Sequence, residues 1–496
     1  MCKNLKIAVC GTGPVGNYIA LRLHELKFND VTVLEAGEIQ NKSKVLLDSD
    51  YIFESPSMMP KGSHKVGGGG NFWFGRVGEF SELDFLPRPR LGLEGWPFKK
   101  SDLLGAYKEV RRLLNMRPMS DSEILTGLKD YTRPLTRDFE LQVFQYIDPE
   151  LLKNKFMILL NAQVFNLIQN CRVIQVIPSV AGYRLATLTQ REGSVEEKGP
   201  FDVVFLATGC FQTTSIVYHS MHDLGVKGEL IGKGLMEHFD LFIGDVIVSR
   251  SNAKMFKKIC LDRNRFIENG KSRMGVALKP SHSISMQKEF LNVAFDVVPQ
   301  TNHYRFSQPE STLSLILILF KILHFFDRVT KRCFRAIREL LGLLGLMSCR
   351  YSLWLKGEEL PSELSKISFN NLKEVIYQHS ISQETFFELH RVLNWFKETV
   401  NTLNLGEIKY FDYLGDISRL SKSYVNWHPS GTLRMGNDAR TSICDEYLQV
   451  HNNPGLFISS SASFPTSSNA NPTFTSLAVV ERSLTKIAQN SCYYHK

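Results

Sequence analysis

Paired cysteines, a bilayer-length apolar run and a basic stripe are all missing from this chain, and each absence removes a class of protein. The nine cysteines (Cys2, Cys10, Cys171, Cys210, Cys260, Cys333, Cys349, Cys444, Cys492) form no C-x-x-C pair and no zinc-ligand spacing, so no metal site is expected. Their odd number and low density point to reduced thiols in a cytoplasmic setting. The longest uncharged apolar run, Leu313–Phe320, falls well short of the roughly 20 residues that span a bilayer. The first strand follows Met1–Lys6 directly, and Ile7–Cys10 is too short for a secretory h-region. No tight Lys/Arg stripe interleaves with aromatics, which excludes nucleic acid as a partner. The net charge of +9 is modest for 496 residues; it favours anionic partners such as lipid head groups or acidic sugars. With 43% apolar and 22% charged residues the composition suits a folded globular chain. Its length requires one large composite unit or two interlocked domains.

What is present begins at the N-terminus. Ile7–Cys10 runs into Gly11-Thr12-Gly13-Pro14-Val15-Gly16, and Ile19, Leu23 and Leu26 then recur at helical spacing. Val31–Leu34 is a second strand, closed by Glu35-Ala36-Gly37. This β-α-β unit has the spacing of a dinucleotide site. Gly11 and Gly13 permit a tight turn and close backbone approach to a pyrophosphate, and Gly16 lets helix and strand pack closely. Glu35 ends the second strand, where a carboxylate accepts hydrogen bonds from a ribose and repels a 2′-phosphate, which argues against NADP. The fingerprint alone does not separate FAD from NAD. Glu35-Ala36-Gly37, and the apolar Val203–Leu206 followed by Ala207-Thr208-Gly209, lean toward FAD.

Further elements follow. Gly67–Gly70 is a backbone-approach loop, and a helix is predicted over about 100–114 with Ser101 as N-cap. Alternation predicts strands at Phe242–Val248, Arg273–Leu278 and Phe290–Val297. Leu456–Ile458 is another short strand, and Asn471-Pro472 opens a helix to about Gln489.

The C-terminal run is more specific. His428-Pro429-Ser430-Gly431-Thr432-Leu433-Arg434-Met435-Gly436, then Phe464-Pro465-Thr466, then Asn471-Pro472-Thr473, resembles the C-terminal signature of glucose–methanol–choline (GMC) oxidoreductases. Val66-Gly67-Gly68, Gly232-Lys233-Gly234-Leu235-Met236-Glu237-His238 and the N-terminal fingerprint resemble the same family. The resemblance implies a fold and a chemistry. The fold is α/β, with a discontinuous Rossmann-type FAD-binding domain (1–235, including an excursion at 67–150, and 421–496). Inserted in it is an α+β substrate domain on an antiparallel sheet (236–420). The chemistry is oxidation of an alcohol, with His428 as catalytic base and Asn471 as its polar partner. The hydride acceptor is FAD, and the final acceptor dioxygen or a quinone.

The cofactor contacts so implied are Gly11, Gly13, Pro14, Val15, Gly16, Glu35, Ala36, Gly67, Gly68, Asn71, Phe72, Trp73, Val164, Ala207, Thr208, Gly209, Ser460, Ser461, Pro472 and Thr473. Ser459–Ser463 lacks the acid that many members carry, which resembles the pyranose-oxidase branch and suggests a sugar or other polyol. Phe72 stands where that branch carries its flavin-linked histidine, so the FAD is expected to be non-covalent. Asn471 also reads as a plain helix cap, a role that competes for its side-chain oxygen.

The segment 312–356 mixes Lys321, Arg328, Lys331, Arg332, Arg335, Arg338, Arg350 and Lys356 with Leu315, Leu319, Ile322 and Phe326 at helical spacing. Two readings stand: a basic amphipathic helix at the inner face of a membrane, or a helical pair packed on the substrate domain. Two other functions also stand beside alcohol oxidation, an FAD-containing isomerase or mutase and a flavin-loaded scaffold without turnover.

Overall fold

The computed structural model describes residues 5–39, 51–54, 65–116, 137–189, 193–248, 252–259, 273–299, 349–370, 375–423 and 428–490. In chain order, the strands of its two main sheets are β1 (Ile7–Cys10), β2 (Val31–Leu34), β3 (Arg76–Val77), β4 (Phe139–Tyr146), β5 (Asn166–Ile168), β6 (Val203–Leu206), β7 (His238–Val248), β8 (Arg273–Pro280), β9 (Val293–Pro299), β10 (Cys349–Glu358), β11 (Gly406–Tyr410) and β12 (Leu456–Ile458). The helices that position the site are α1 (Pro14–Glu25), α2 (Gly209–Leu224), α3 (Gln383–Thr402) and α4 (Pro472–Gln489).

The first sheet is parallel, in the order β12-β6-β1-β2-β5. Every residue of β1 and β6 is buried, as their uninterrupted apolar runs require of strands covered on both faces. The chain leaves this sheet after β6 and returns 250 residues later to add β12 beside it (from Leu206 to Leu456). Side chains reinforce that return. Glu481 on α4 accepts from Arg22 Nε at 2.8 Å, Arg22 Nη2 at 2.7 Å and the Tyr18 hydroxyl at 2.8 Å, joining the two ends of the chain in the core.

The second sheet is antiparallel, in the order β11-β7-β10-β9-β8-β4-β3. Period-two alternation gives it two unlike faces. One carries Phe239, Leu241, Phe295, Val297, Leu353 and Leu355 against Leu389, Val392 and Phe396 of α3. There Phe295 stacks on Phe396 with ring centroids 3.8 Å apart.

Several expectations are corrected. Ser101 does not cap the helix over 100–114: a 3-10 turn, Lys100–Leu103, comes first, and the Asp102 carboxylate accepts from the Lys99 N–H at 2.9 Å. The excursion 67–150 is not only loop and helix, because β3 and β4 join the antiparallel sheet. Of the basic segment, 312–348 lies outside the described residues. Cys349–Glu358 is a strand, so no helix reaches residue 356. Lys356 is 5% exposed inside the sheet, not turned to a surface. Among the described residues no helix is long and apolar enough to cross a membrane. Cys10, Cys171, Cys210, Cys349 and Cys444 are free and buried, and no metal-ligand cluster exists among the described residues.

The β1–α1 junction supplies a stability test. A Cβ on Gly16 would collide with the Gly11 carbonyl, a backbone atom with no freedom to withdraw. Gly16→Ala should cost about 1–3 kcal/mol through overpacking. Thermal denaturation of parent and variant checks it.

Candidate active site

The nucleotide-type crevice opens at the carboxyl ends of the parallel strands, where ligands of such sheets bind. Gly11 turns the chain out of β1 at φ +94°, and a Cβ there would stand 2.8 Å from the Ala207 carbonyl oxygen. Gly13 caps α1, with Pro14 at the first helical position and Val15 and Gly16 following. A Cβ on Gly13 would meet open space, so the unsatisfied N–H groups of the helix start remain approachable. Gly68 lies directly over it, its notional Cβ 3.2 Å from the Gly13 Cα.

Glu35 is buried at the end of β2. Its Oε2 accepts from the Thr12 N–H at 2.8 Å and the Thr12 hydroxyl at 2.5 Å, and its Oε1 from the Gly37 N–H at 2.8 Å across Ala36. An ionised carboxylate has about four acceptor positions, which leaves capacity for a ribose hydroxyl. Thr12, which carries no signal in the sequence, also accepts from the Gly67 N–H at 3.1 Å and so pins the glycine loop to the strand end. Asn71 stiffens that loop: Nδ2 donates to the Gly68 carbonyl at 3.0 Å, and Oδ1 accepts from Lys153 Nζ at 3.1 Å. Phe72 is half-buried beside it. Two buried polar atoms, Asn17 Oδ1 and Trp73 Nε1, have no protein partner, and both residues line a small cavity with Pro14, Gly67 and Gly70. An anion-ready helix start, an open glycine and orphaned polar atoms together fit a dinucleotide.

Ala207-Thr208-Gly209 and Ser460-Ser461 stand at the same edge, directly after β6 and β12. Val164 does not stand at this edge. It precedes β5, whose Asn166 pairs with Thr32, so it lies at the amino end of the sheet. The far end of β5 is what meets the acid, the Glu35 N–H donating to the Ile168 carbonyl at 2.9 Å. A short apolar run in the sequence gives no strand direction.

His428 is half-buried and held from two sides. Its backbone N–H donates to Glu237 Oε2 at 2.7 Å, and Ser430 and Met236 exchange backbone bonds at 2.9 and 3.0 Å. The Ser461 hydroxyl donates to the Pro429 carbonyl at 2.7 Å, fastening the loop to the crevice. Burial pushes the His428 imidazole down to about 4, and the Lys356 cation adds to the effect. The ring is therefore neutral at pH 7, as a proton acceptor must be.

Behind it lies a polar cluster that the sequence does not reveal. Glu237 is fully buried, and burial raises its carboxyl to about 8. Its other oxygen accepts from the Tyr377 hydroxyl at 3.4 Å. The Glu237 N–H donates to Glu359 at 2.8 Å, and the same carboxylate meets His379 Nε2 at 2.8 Å. Burial opposes charge on His379, but Glu359 outweighs it and holds that imidazole above its ordinary value. His238, the next residue along, is 1% exposed and sets its ring edge-on to His428, with centroids 4.4 Å apart and planes at 70°. Burial, then His428, keep it neutral well below 6.5.

Asn471 occupies the N-cap of α4 and Pro472 its first position, yet the asparagine side chain makes no cap bond. The competition expected for its oxygen is absent. No acid stands in the first turn, so the α4 start, with Thr473 half-buried in it, keeps its positive end uncompensated. Two residues earlier, Asn469 bridges Gln142 of β4 and Asn292, the residue just before β9, each at 3.0 Å.

Residues 385–479 match the GMC oxidoreductase family in its C-terminal domain. A C-glycoside 3-oxidase from Arthrobacter globiformis is 41% identical over 63 residues, a match that spans 12% of this chain and 12% of that protein. Among solved structures, pyridoxine 4-oxidase from Mesorbium loti aligns over 98% of this chain and 100% of its own at TM-score 0.58 and 13% identity. A fungal aryl-alcohol oxidase aligns over 99% and 100% at 0.56 and 13%. Formate oxidase from Aspergillus oryzae aligns over 99% of both chains at 0.60 and 12%. At these identities the likeness is one of fold.

The Glu237–His428 bond is open to test by substitution. Glu237→Gln retains an oxygen for the His428 N–H and should keep most activity. Glu237→Ala removes the acceptor and should lower kcat by up to about tenfold, the worth of a hydrogen bond to a buried, mostly neutral carboxyl. Equal rates in the two variants, with bound chromophore unchanged, would show that the bond does not position the base.

Proposed function

We propose, for a chain whose C-terminal segment belongs to the GMC oxidoreductase family, that the protein is an FAD-dependent alcohol oxidoreductase with His428 as base and Asn471 as its partner. The observation that carries this reading is an imidazole held neutral by its surroundings, in one structure with a helix start whose cap side chain is uncommitted. His428 takes the hydroxyl proton of the substrate as the carbinol carbon gives up hydride. The Asn471 amide N–H steadies the oxygen as charge builds on it, without competing for the proton. Glu237 and His238 keep the His428 loop and ring in place. Bound FAD supplies the hydride acceptor. Residues 11–16, Glu35, Ala36, the 67–73 loop, Ala207–Gly209, Ser460, Ser461, Pro472 and Thr473 are the residues that would hold it.

On this reading the parallel sheet is a Rossmann-type FAD domain built from 1–235 and 421–496, and 236–420 is the substrate domain, extended by β3 and β4. The oxidases among the solved relatives favour dioxygen over a quinone as final acceptor. The C-glycoside 3-oxidase match favours a sugar over a simple alcohol. Phe72 offers no nucleophile for a flavin bond, so the FAD is dissociable. Neither an isomerase nor an idle scaffold requires an imidazole tuned in this way.

Anaerobic titration with a panel of alcohols and sugars should bleach the oxidised-flavin band of the parent and leave that of His428→Ala intact. A band that no alcohol bleaches would refute the reading. The acid limb of kcat/KM should lie near 4 instead of 6.5, because His428 loses base function only when it protonates. Lys356→Met removes a cation that disfavours protonation and should move that limb upward. Denaturation in acid should release the yellow chromophore; colour retained on the polypeptide would contradict non-covalent binding.

A further inference from the structure

The face of the antiparallel sheet turned away from α3 is chemically unlike the face against it. Reading every second residue gives His238, Asp240 and Phe242 on β7, Trp354 and Lys356 on β10, and Asp296 on β9. Phe144 and Tyr146 of β4 and Arg76 of β3 extend it. Four of these side chains are charged, and three of them, Arg76, Asp296 and Lys356, are well covered, a costly choice for a surface that merely had to pack. Lys356 Nζ meets Asp240 Oδ2 at 2.6 Å across the β7–β10 pair. Arg76 grips Asp296 with two bonds, of 2.5 and 3.0 Å, and lies 3.7 Å over the Phe144 ring.

This face adjoins the catalytic residues. His238 touches His428, and Asp240 is the next residue on the same side of β7. Lys356 and Asp240 both act electrostatically on His428, with opposite signs. From β4, Gln142 reaches Asn469, two residues before Asn471. A substrate presented to His428 and Asn471 therefore meets this wall.

Its charges balance pair by pair, so an anionic ligand finds no unmatched cation. A hydroxyl group both donates and accepts, and suits a carboxylate within reach whose charge is balanced by an ammonium set behind it, 6% exposed. The Asp240 side chain is 37% exposed, which leaves it within reach. Phe242 and Trp354 stack at 5.4 Å immediately beside the pair and offer an apolar surface to a ring's C–H face.

We propose that the Lys356–Asp240 pair, backed by Arg76–Asp296, is the subsite for the hydroxyl groups next to the reacting carbon, and that it selects an uncharged cyclic polyol. This rests on the reading of His428 as the base of an alcohol oxidation.

The test is anaerobic flavin reduction by three matched pyranosides: a methyl glucoside, its glucuronide and its 6-amino analogue. The parent should be half-saturated by the glucoside at the lowest concentration. Asp240→Asn leaves Lys356 unmatched and should shift preference about tenfold toward the glucuronide. Lys356→Met leaves Asp240 unmatched and should shift it toward the amino analogue. The double variant, with no buried charge left alone, should lose discrimination among the three while retaining the parent's flavin content and Tm. A parent that prefers the glucuronide, or single variants with the parent's ranking, would overturn the subsite. Reduction by benzyl alcohol but by none of the pyranosides would overturn it and leave the oxidoreductase reading standing. Reduction by no alcohol at all would overturn both.

Discussion

A carboxylate with no access to water governs the arrangement around His428. Glu237 is fully enclosed, and a buried acid must be hydrogen-bonded or neutral. It meets that demand by gathering groups from distant parts of the chain: the His428 N–H, the Tyr377 hydroxyl and, through its own N–H, the Glu359–His379 pair. The residues thus assembled span the entrance to β7, the end of β10, the strand over 375–378 and the segment beginning at 428. The same enclosure that burdens Glu237 pushes the His428 imidazole down, with the Lys356 cation adding to the effect.

The second constraint is topological. β12 and α4 come from the last tenth of the chain, yet β12 extends the sheet begun by β1, and α4 is locked to α1 by Arg22 and Glu481. Contacts of such sequence separation form late, because loop closure must be met before they repay it. His428 and Asn471 both lie on the part of the chain that returns to the first sheet, so their placement depends on these long-range contacts.

The local features were legible in the sequence and the long-range ones were not. β1, β2, β6 and β12 stand out as short apolar runs, and α4 begins and ends where Asn471-Pro472 and the helical pattern place it. Val164 precedes a strand that begins only at Asn166, a boundary that the short apolar run does not mark. Ser101 failed because Asp102, the next residue, accepts from the Lys99 N–H and caps the turn from there. The basic residues at 350 and 356 hid a strand: Tyr351, Leu353 and Leu355 alternate with Ser352, Trp354 and Lys356, a period-two signal lost among neighbouring cations. Glu237 and His238 lay inside a motif already noticed, but their work depends on His428, 190 residues on. Thr12 is visible only once Glu35 is seen to face it.

The antiparallel sheet separates two jobs by parity. On β10, and on β7 before its bulge between Phe242 and Gly244, odd-numbered positions such as Phe239, Leu241, Leu353 and Leu355 hold the domain on α3 and the even-numbered ones look the other way; beyond the bulge the parity of β7 reverses, and Val246 and Val248 join the α3 side. A change at a position turned away from α3 therefore rewrites one side of the sheet without reopening the packing on the other. Such a scaffold can drift from one class of small molecule to another in single steps, each nearly neutral for folding, which is how one architecture comes to serve many chemistries.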